Sequence, residues 1–186
     1  EQELQKSYSK RQVPKEIIKS VATANVREAI PILKEALGSG NPFFNKDATE
    51  LALARFGDKA LQEKLIKKTI SKIDYKNKSN NGNRIWEYSK ELAFINTQES
   101  IYQMHIFMDS TLKDRRSIGK ESYDVYSGGK AIVILLYTII NKDIQEKFKD
   151  VELDYLEDKE LLLFAKKWLI KNKGKYEIYQ SFEPFN

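Results

Sequence analysis

Two corner stretches, Leu53-Ala54-Arg55-Phe56-Gly57-Asp58 and Leu92-Ala93-Phe94-Ile95-Asn96-Thr97, decide how this chain is read. In the first, an apolar run ends at Gly57, a residue suited to the left-handed position that closes a helix, and Asp58 is placed to cap the next one. In the second, Thr97 holds the same capping place. Leu53 and Leu92 lie 39 positions apart (53 to 92), so a unit of two helices joined at a tight corner recurs along the chain. Such a unit cannot bury its apolar face alone and needs neighbours of the same kind.

Helix signals continue outward from these corners. Pro14-Lys15-Glu16 opens a first short helix with Ile17, Ile18, Val21 and Ala22 as its stripe. Asn25 with Glu28 reads as a capping box for a second, carrying Val26, Ala29, Ile30, Leu33 and Leu37 and ended by Gly38 and Gly40. Pro31 requires that helix either to bend or to begin nearer Ile30. Asp47 with Glu50 reads as the box of a third. After Asp58, Leu61, Leu65, Ile66, Thr69, Ile70 and Ile73 form an inner face, and Lys64, Lys68 and Lys72 a solvated one. Residues 76–83, Lys-Asn-Lys-Ser-Asn-Asn-Gly-Asn, are a loop by composition. A fifth helix carries Ile85, Trp86, Ser89, Leu92 and Ala93, and a sixth, capped by Thr97, carries Ile101, Met104 and Met108.

From Ser110 to Gly129 the periodicity fails, and the stretch is long for a structureless connection. Ala131 to Ile140 is apolar on every side and is assigned to a buried helix by its helical neighbours. A last helix runs from near Asp158 through Leu161, Leu162, Phe164, Ala165, Trp168 and Leu169 to Gly174. The aromatic tail is expected to pack back on the body. The organisation expected is a single all-α domain over 1–186. Its clearest repeats are 26–73 and 84–109, followed by the loop 110–129, C-terminal helices over 130–174 and the tail 175–186. No sheet is expected beyond a tail hairpin.

Composition supports that class and removes several functions. With 8 Gly, 4 Pro and 32% charged residues among 186, the chain suits a helix-rich globular fold rather than a disordered or fibrous one. The net charge of +5 is uneven: residues 1–78 hold 16 Lys/Arg against 10 Asp/Glu, and 79–186 hold 16 against 17. That mild N-terminal excess falls short of the focused basic stripe of nucleic-acid binders. There is no cysteine, which excludes disulfides and thiolate metal sites. Ala131 to Ile140 is about half the roughly 20 residues that cross a bilayer, so no transmembrane anchor is read. The polar start Glu1-Gln2-Glu3-Leu4-Gln5 would suit a mature segment after a cleaved signal; an extracytoplasmic location is the expectation, with a trimmed cytoplasmic chain as the alternative.

The stretch from Ala29-Ile30-Pro31-Ile32-Leu33 through Leu51 to Asp58 and on to Leu65 resembles the HEAT-like, armadillo-type repeat family. In that family a helix with an Ala-Ile-Pro start precedes one ending in Ala-Leu-x-x-Phe/Leu-Gly-Asp. Leu92 to Met108 fits more loosely, and the C-terminal third only by its helical rhythm. The resemblance implies an α-α superhelix whose surface receives a protein partner. Some HEAT-like proteins are DNA glycosylases or lyase subunits, so the resemblance does not remove enzymes.

The ionisable groups offer little catalytic chemistry. His105 is the only histidine and, with no nucleophile beside it, reads as structural; Asp109, one turn on, could hydrogen-bond its ring. Ser127-Gly128-Gly129-Lys130 lacks the spacing of a phosphate loop, although the amides of that helix start could hold an anion. Asp154, Glu157 and Asp158 sit in an acidic stretch suited to solubility and capping. No catalytic residue, cofactor or metal site is assigned. The aromatic and basic residues of the long segment, Lys113, Arg115, Arg116, Lys120, Tyr123 and Tyr126, are the candidate binding site, since arginine and tyrosine are common interface anchors. The function expected is a non-catalytic protein-binding or scaffolding module. The alternative is a HEAT-like nucleic-acid binder or DNA glycosylase, because the same mixture can stack on and neutralise a single strand.

Overall fold

The computed structural model describes residues 12–73, 81–109, 111–118, 121–151 and 158–179, with side chains except at 81, 82, 114–118 and 121–125. Among the described residues there are nine α-helices: α1 Lys15–Thr23, α2 Ala29–Ser39, α3 Lys46–Arg55, α4 Lys59–Ser71, α5 Asn81–Ile95, α6 Gln98–Gln103, α7 Gly128–Thr138, α8 Lys142–Phe148 and α9 Lys159–Lys171. A 3-10 turn, Met104–Ile106, extends α6. The one sheet among them is a hairpin of β1 Lys113–Ile118 and β2 Glu121–Tyr126. The class is therefore all-α with a two-stranded insertion. That hairpin corrects the expectation of an irregular 110–129 loop and of no sheet outside the tail. The chain divides into two compact units, Glu1–Lys64 and Leu65–Asn186.

In the first unit α1 and α2 both pack on α3. Alanines at 48, 52 and 54 make α3 slender enough to be enclosed, and every residue from Ala48 to Ala54 is buried. Ile18, Leu33, Leu51 and Leu53 complete the core. Two expected caps are corrected here. Asn25 does not start α2; it sits at φ 54° and closes α1, with Val26 N donating to Val21 O at 3.0 Å and its own N to Ala22 O at 3.2 Å. Asparagine tolerates the left-handed region, so it serves at either end of a helix. Asp47 is likewise not the cap of α3. Asn45 is, its Oδ1 accepting from Ala48 N at 2.9 Å, while Asp47 lies in the first turn, where its charge suits the helix dipole. The helix with Pro31 begins at Ala29, which leaves the proline in the first turn where its missing N–H costs nothing.

Gly57 has φ 105° and Asp58 Oδ1 accepts from Leu61 N at 3.1 Å, as the first corner required. At the second, Thr97 and Ser100 form a reciprocal capping box at 3.1 and 3.0 Å.

The second unit is centred on α5 against α7, with the 3-10 turn against α9. Its core includes Ile85, Leu92, Phe94, Ile101, Met104, Phe107, Leu112, Ile132, Leu135, Leu162 and Leu169. The expected 76–83 loop is shortened at its end, because α5 already begins at Asn81; residues 76–80 lie outside the described set. The apolar run 131–140 is helical only to Thr138. Ile139 and Ile140 are drawn out into extended backbone by the tail, with Ile140 N donating to Glu177 O at 2.8 Å and Tyr179 N to Thr138 O at 2.9 Å. Tyr176 is buried, its Oη donating to Leu169 O at 2.5 Å. The Gln98 side-chain amide clasps its backbone, donating to Tyr176 O at 2.7 Å and accepting from Tyr176 N at 3.0 Å. The tail packs on the body as far as Tyr179, and residues 180–186 lie outside the described set.

Candidate functional site

The hairpin grows from a buried base. Leu112 and Ser127 are both enclosed, and Ser127 N donates to Leu112 O at 3.0 Å, drawing the two strands together where they leave the core. Thr111 precedes them, held by Asp109, whose Oδ1 accepts from Thr111 N at 2.9 Å and Oγ1 at 2.8 Å. Lys166 Nζ reaches the other oxygen of Asp109 at 3.1 Å. Partial burial opposes that charge, yet the hydrogen bonds from Thr111 and Lys166 win and hold the carboxyl below its usual range. Asp109 is thus committed to the hairpin base. His105 meets its own partner instead, Nδ1 donating to Tyr102 O at 2.7 Å with the two rings 4.5 Å apart.

Antiparallel pairing sets Lys113 opposite Tyr126, Arg115 opposite Asp124, Arg116 opposite Tyr123 and Ile118 opposite Glu121. Alternation along the strands puts 113, 115, 117, 122, 124 and 126 on one face of the ribbon and 114, 116, 118, 121, 123 and 125 on the other. Each face therefore carries one pair of a cation and a tyrosine. For Lys113 and Tyr126 the contact is direct: the ammonium stands 5.3 Å from the ring centre, in cation–π range. The side chains of Arg115, Arg116 and Tyr123, and the whole of Lys120, lie outside the described set. Of the six candidate residues, five are brought onto one ribbon by backbone register.

The start of α7 is enclosed: Ser127, Gly128 and Gly129 are buried, and a Cβ on Gly128 would lie 2.5 Å from Leu162 Cδ1 and 2.9 Å from the carbonyl oxygen of Phe107. Ser127 Oγ, buried there, has no hydrogen-bond partner among the described residues. Lys130 points elsewhere, to Asn83 Oδ1 at 3.3 Å. Asp158 caps α9, accepting from Glu160 N at 2.7 Å; Asp154 and Glu157 lie outside the described set.

Periodicity did not anticipate two charged features. Glu50, expected to cap, is turned inward with its side chain 4% exposed and accepts from Lys64 Nζ at 2.8 Å. Lys72 stands 5.4 Å over the ring of Tyr88. The lysine row is exposed, as expected, and two of its members, Lys64 and Lys72, also reach these partners. The four-residue spacing exposed the row, but the partners come from other helices and left no local signal. Arg55, half-buried at the end of α3, has its pKa lowered by desolvation.

Among the described residues no group of three or more His, Cys, Asp or Glu could hold a metal ion, and no helix is long and apolar enough to cross a membrane. Compared with known proteins, the chain matches no family, no curated protein and no solved structure.

Proposed function

We propose that this chain is a non-catalytic protein-binding module built of HEAT-like helical hairpins, with the β1–β2 ribbon as its recognition element. The observation that carries the reading is the register of the ribbon, which gives each face a basic residue opposite a tyrosine. Tyrosine offers a large rigid contact surface with a polar end, and arginine adds fixed donors, the combination that anchors interfaces. The repeat reading is supported by the matching corners at Gly57 and Asn96, where α3 turns into α4 and α5 into α6.

The test is affinity capture from the native host's extract with identification of retained proteins, run side by side for the wild type and for Arg116→Ala and Tyr126→Ala. A protein retained by the wild type and lost from both variants, with helical content unchanged, is the expected outcome. A combined Lys34→Ala, Lys59→Ala and Lys67→Ala chain, altered only at exposed lysines, is the control. If that control lost the protein and the ribbon variants kept it, recognition would lie on the basic N-terminal half. Retention of single-stranded nucleic acid with steep salt dependence would move the reading to the nucleic-acid alternative.

A further inference from the structure

Both strands of the ribbon are edge strands, since the described residues give the sheet no third member. Ser127 N donates to Leu112 O immediately below the Lys113–Tyr126 pair, which fixes the phase of the ladder. Bonded and non-bonded pairs alternate along an antiparallel ladder. The bonded pairs are therefore Asp114 with Val125, Arg116 with Tyr123 and Ile118 with Glu121. The other residues turn their N–H and C=O groups outward: Lys113, Arg115 and Ser117 along β1, and Ser122, Asp124 and Tyr126 along β2.

The two edges differ. β1 lies against α5, whereas among the described elements only β1 lies against β2 to a comparable extent. β1 also carries Lys113, Arg115 and Arg116, and basic residues on an edge strand discourage further pairing. β2 has no proline, no bulge interrupts its register, and Tyr123, Val125 and Tyr126 favour extended backbone. Its two charged residues, Glu121 and Asp124, are both acidic.

We infer that the free edge of β2 receives an extended segment of a partner protein as a third strand, and that this segment carries two cations three positions apart. The inference rests on the ribbon reading and deepens it by naming the mode of pairing and the charge of the partner. A row of outward N–H and C=O groups is matched by extended peptide backbone, a row that a helix or a nucleic acid does not offer. Charge then selects the sequence, because the incoming residues opposite Glu121 and Asp124 meet carboxylates. A second copy of the chain is the poorer occupant. Two β2 edges in full antiparallel overlap would set Asp124 against its own mate, and like charges directly opposite destabilise a pair. A slip by two residues parts them but carries one end of each strand past the other.

The test titrates the whole isotope-labelled chain at low salt with the capped peptide Gly-Thr-Lys-Val-Thr-Lys-Val-Gly and with its glutamine analogue. A third peptide keeps the lysines but is N-methylated at two successive central residues, so that neither of its edges keeps a full row of donors. In the free chain the amides of Ser122, Asp124 and Tyr126 should exchange with solvent faster than those of Tyr123 and Val125. The lysine peptide should slow the first set, the glutamine peptide should bind roughly threefold or more weakly, and the N-methylated peptide should not bind. Asp124→Asn should narrow the gap between the lysine and glutamine peptides. Ser122→Pro removes one outward N–H and no bond to β1, so it should weaken both peptides while Tyr123 and Val125 stay protected. Equal binding of the lysine and glutamine peptides, or undiminished binding of the N-methylated one, would overturn the inference. Slowing of the same amides as the chain alone is concentrated would give the edge to a second copy. If Arg116→Ala and Tyr126→Ala lost the captured protein while Ser122→Pro and Asp124→Asn kept it, the edge would fall and the ribbon reading would stand. If the lysine peptide occupied the edge while Arg116→Ala and Tyr126→Ala kept the captured protein, the two side chains would fall as anchors and the edge would stand.

Discussion

Gly57 and Asn96, 39 positions apart, each close a helix at positive φ, 105° and 59°. The two closures differ in their hydrogen bonds. At Gly57 the chain makes the double closure, Asp58 N to Leu53 O at 3.1 Å and Gly57 N to Ala54 O at 3.0 Å. At Asn96 a single bond runs from its own N to Leu92 O at 3.4 Å, because Thr97 N is already taken by Ser100 Oγ at 3.0 Å. Asn96 adds a tether of its own, Nδ2 to Tyr179 O at 3.1 Å.

A Cβ at Gly57 would meet nothing within 4 Å, so replacing it tests the backbone alone. Gly57→Ala should therefore cost about 1–2 kcal/mol, the ordinary penalty of a left-handed L-residue. Gly57→Asn should recover part of it. Urea unfolding of the three chains decides, and an alanine variant as stable as the wild type would contradict the strain argument.

Gly128 is constrained for the opposite reason. Its backbone is ordinary, but a Cβ there would lie 2.5 Å from Leu162 Cδ1, 2.9 Å from Phe107 O and 3.0 Å from Met108 Cα, and two of these three atoms are backbone. Gly128→Ala should cost about 1–3 kcal/mol as overpacking. Gly38 in α2 has open space around its Cα, and Gly38→Ala should gain up to about 1 kcal/mol through helix propensity. Thermal melts of both variants should move in opposite directions.

Tyr176 makes the fold sensitive to alkali. Burial first, and then the charges of Tyr102 and Glu99, push its hydroxyl well above tyrosine's ordinary pKa of about 10. The folded state therefore favours the protonated form. This contribution is complete below the unfolded-state value and is lost as pH rises from about 10 toward the higher folded value. Stability followed by urea titration should fall above pH 10 more steeply for the wild type than for Tyr176→Phe. Parallel curves would remove Tyr176 as the cause.

These cases show which parts of the fold were legible. Asp58, Thr97 and Asp158 read correctly as caps because a cap is a local device spanning three or four residues. Asn25 misled for an equally local reason, since asparagine satisfies either end of a helix, and Asp47 because Asn45, two residues earlier, is an equally good cap. The ribbon was not legible as strands, because Lys113-Asp114-Arg115-Arg116-Ser117-Ile118 places charge on both faces and shows no alternation of period two. The signal that could have found it is Gly119-Lys120, a two-residue spacing with glycine first between β-forming residues. Ile139 and Ile140 leave α7 because of Glu177 and Tyr179, partners about 40 positions away that no window contains.

Glu50 gives a fourth expectation. Its buried carboxylate is paired with Lys64, whose own side chain is 53% exposed. Truncating the lysine leaves the charge enclosed, whereas Glu50→Gln removes the charge and keeps the shape. Lys64→Met should therefore destabilise more than Glu50→Gln, and the double variant should lose less than the sum of the two. A strictly additive pair in a double-mutant cycle would show that the ion pair contributes nothing.

The last expectation separates the two faces of the ribbon. Tyr126 and Lys113 share one face and are already in contact at 5.3 Å, so Tyr126→Ala removes both a contact surface and the partner of a half-buried ammonium. Arg116 and Tyr123 share the other face by register. A partner seated on a single face would respond to one pair only, whereas a partner that grips the ribbon would respond to both. Truncation of an interface anchor costs about 2 kcal/mol or more, roughly a thirtyfold loss of affinity. We expect Arg116→Ala and Tyr126→Ala each to reach that size, because the register sets a basic residue opposite a tyrosine at both positions. Surface plasmon resonance with the captured partner measures both. A loss confined to Arg116→Ala would assign the 113–126 face to packing against the body, and retention of full affinity by both variants would remove the ribbon from recognition.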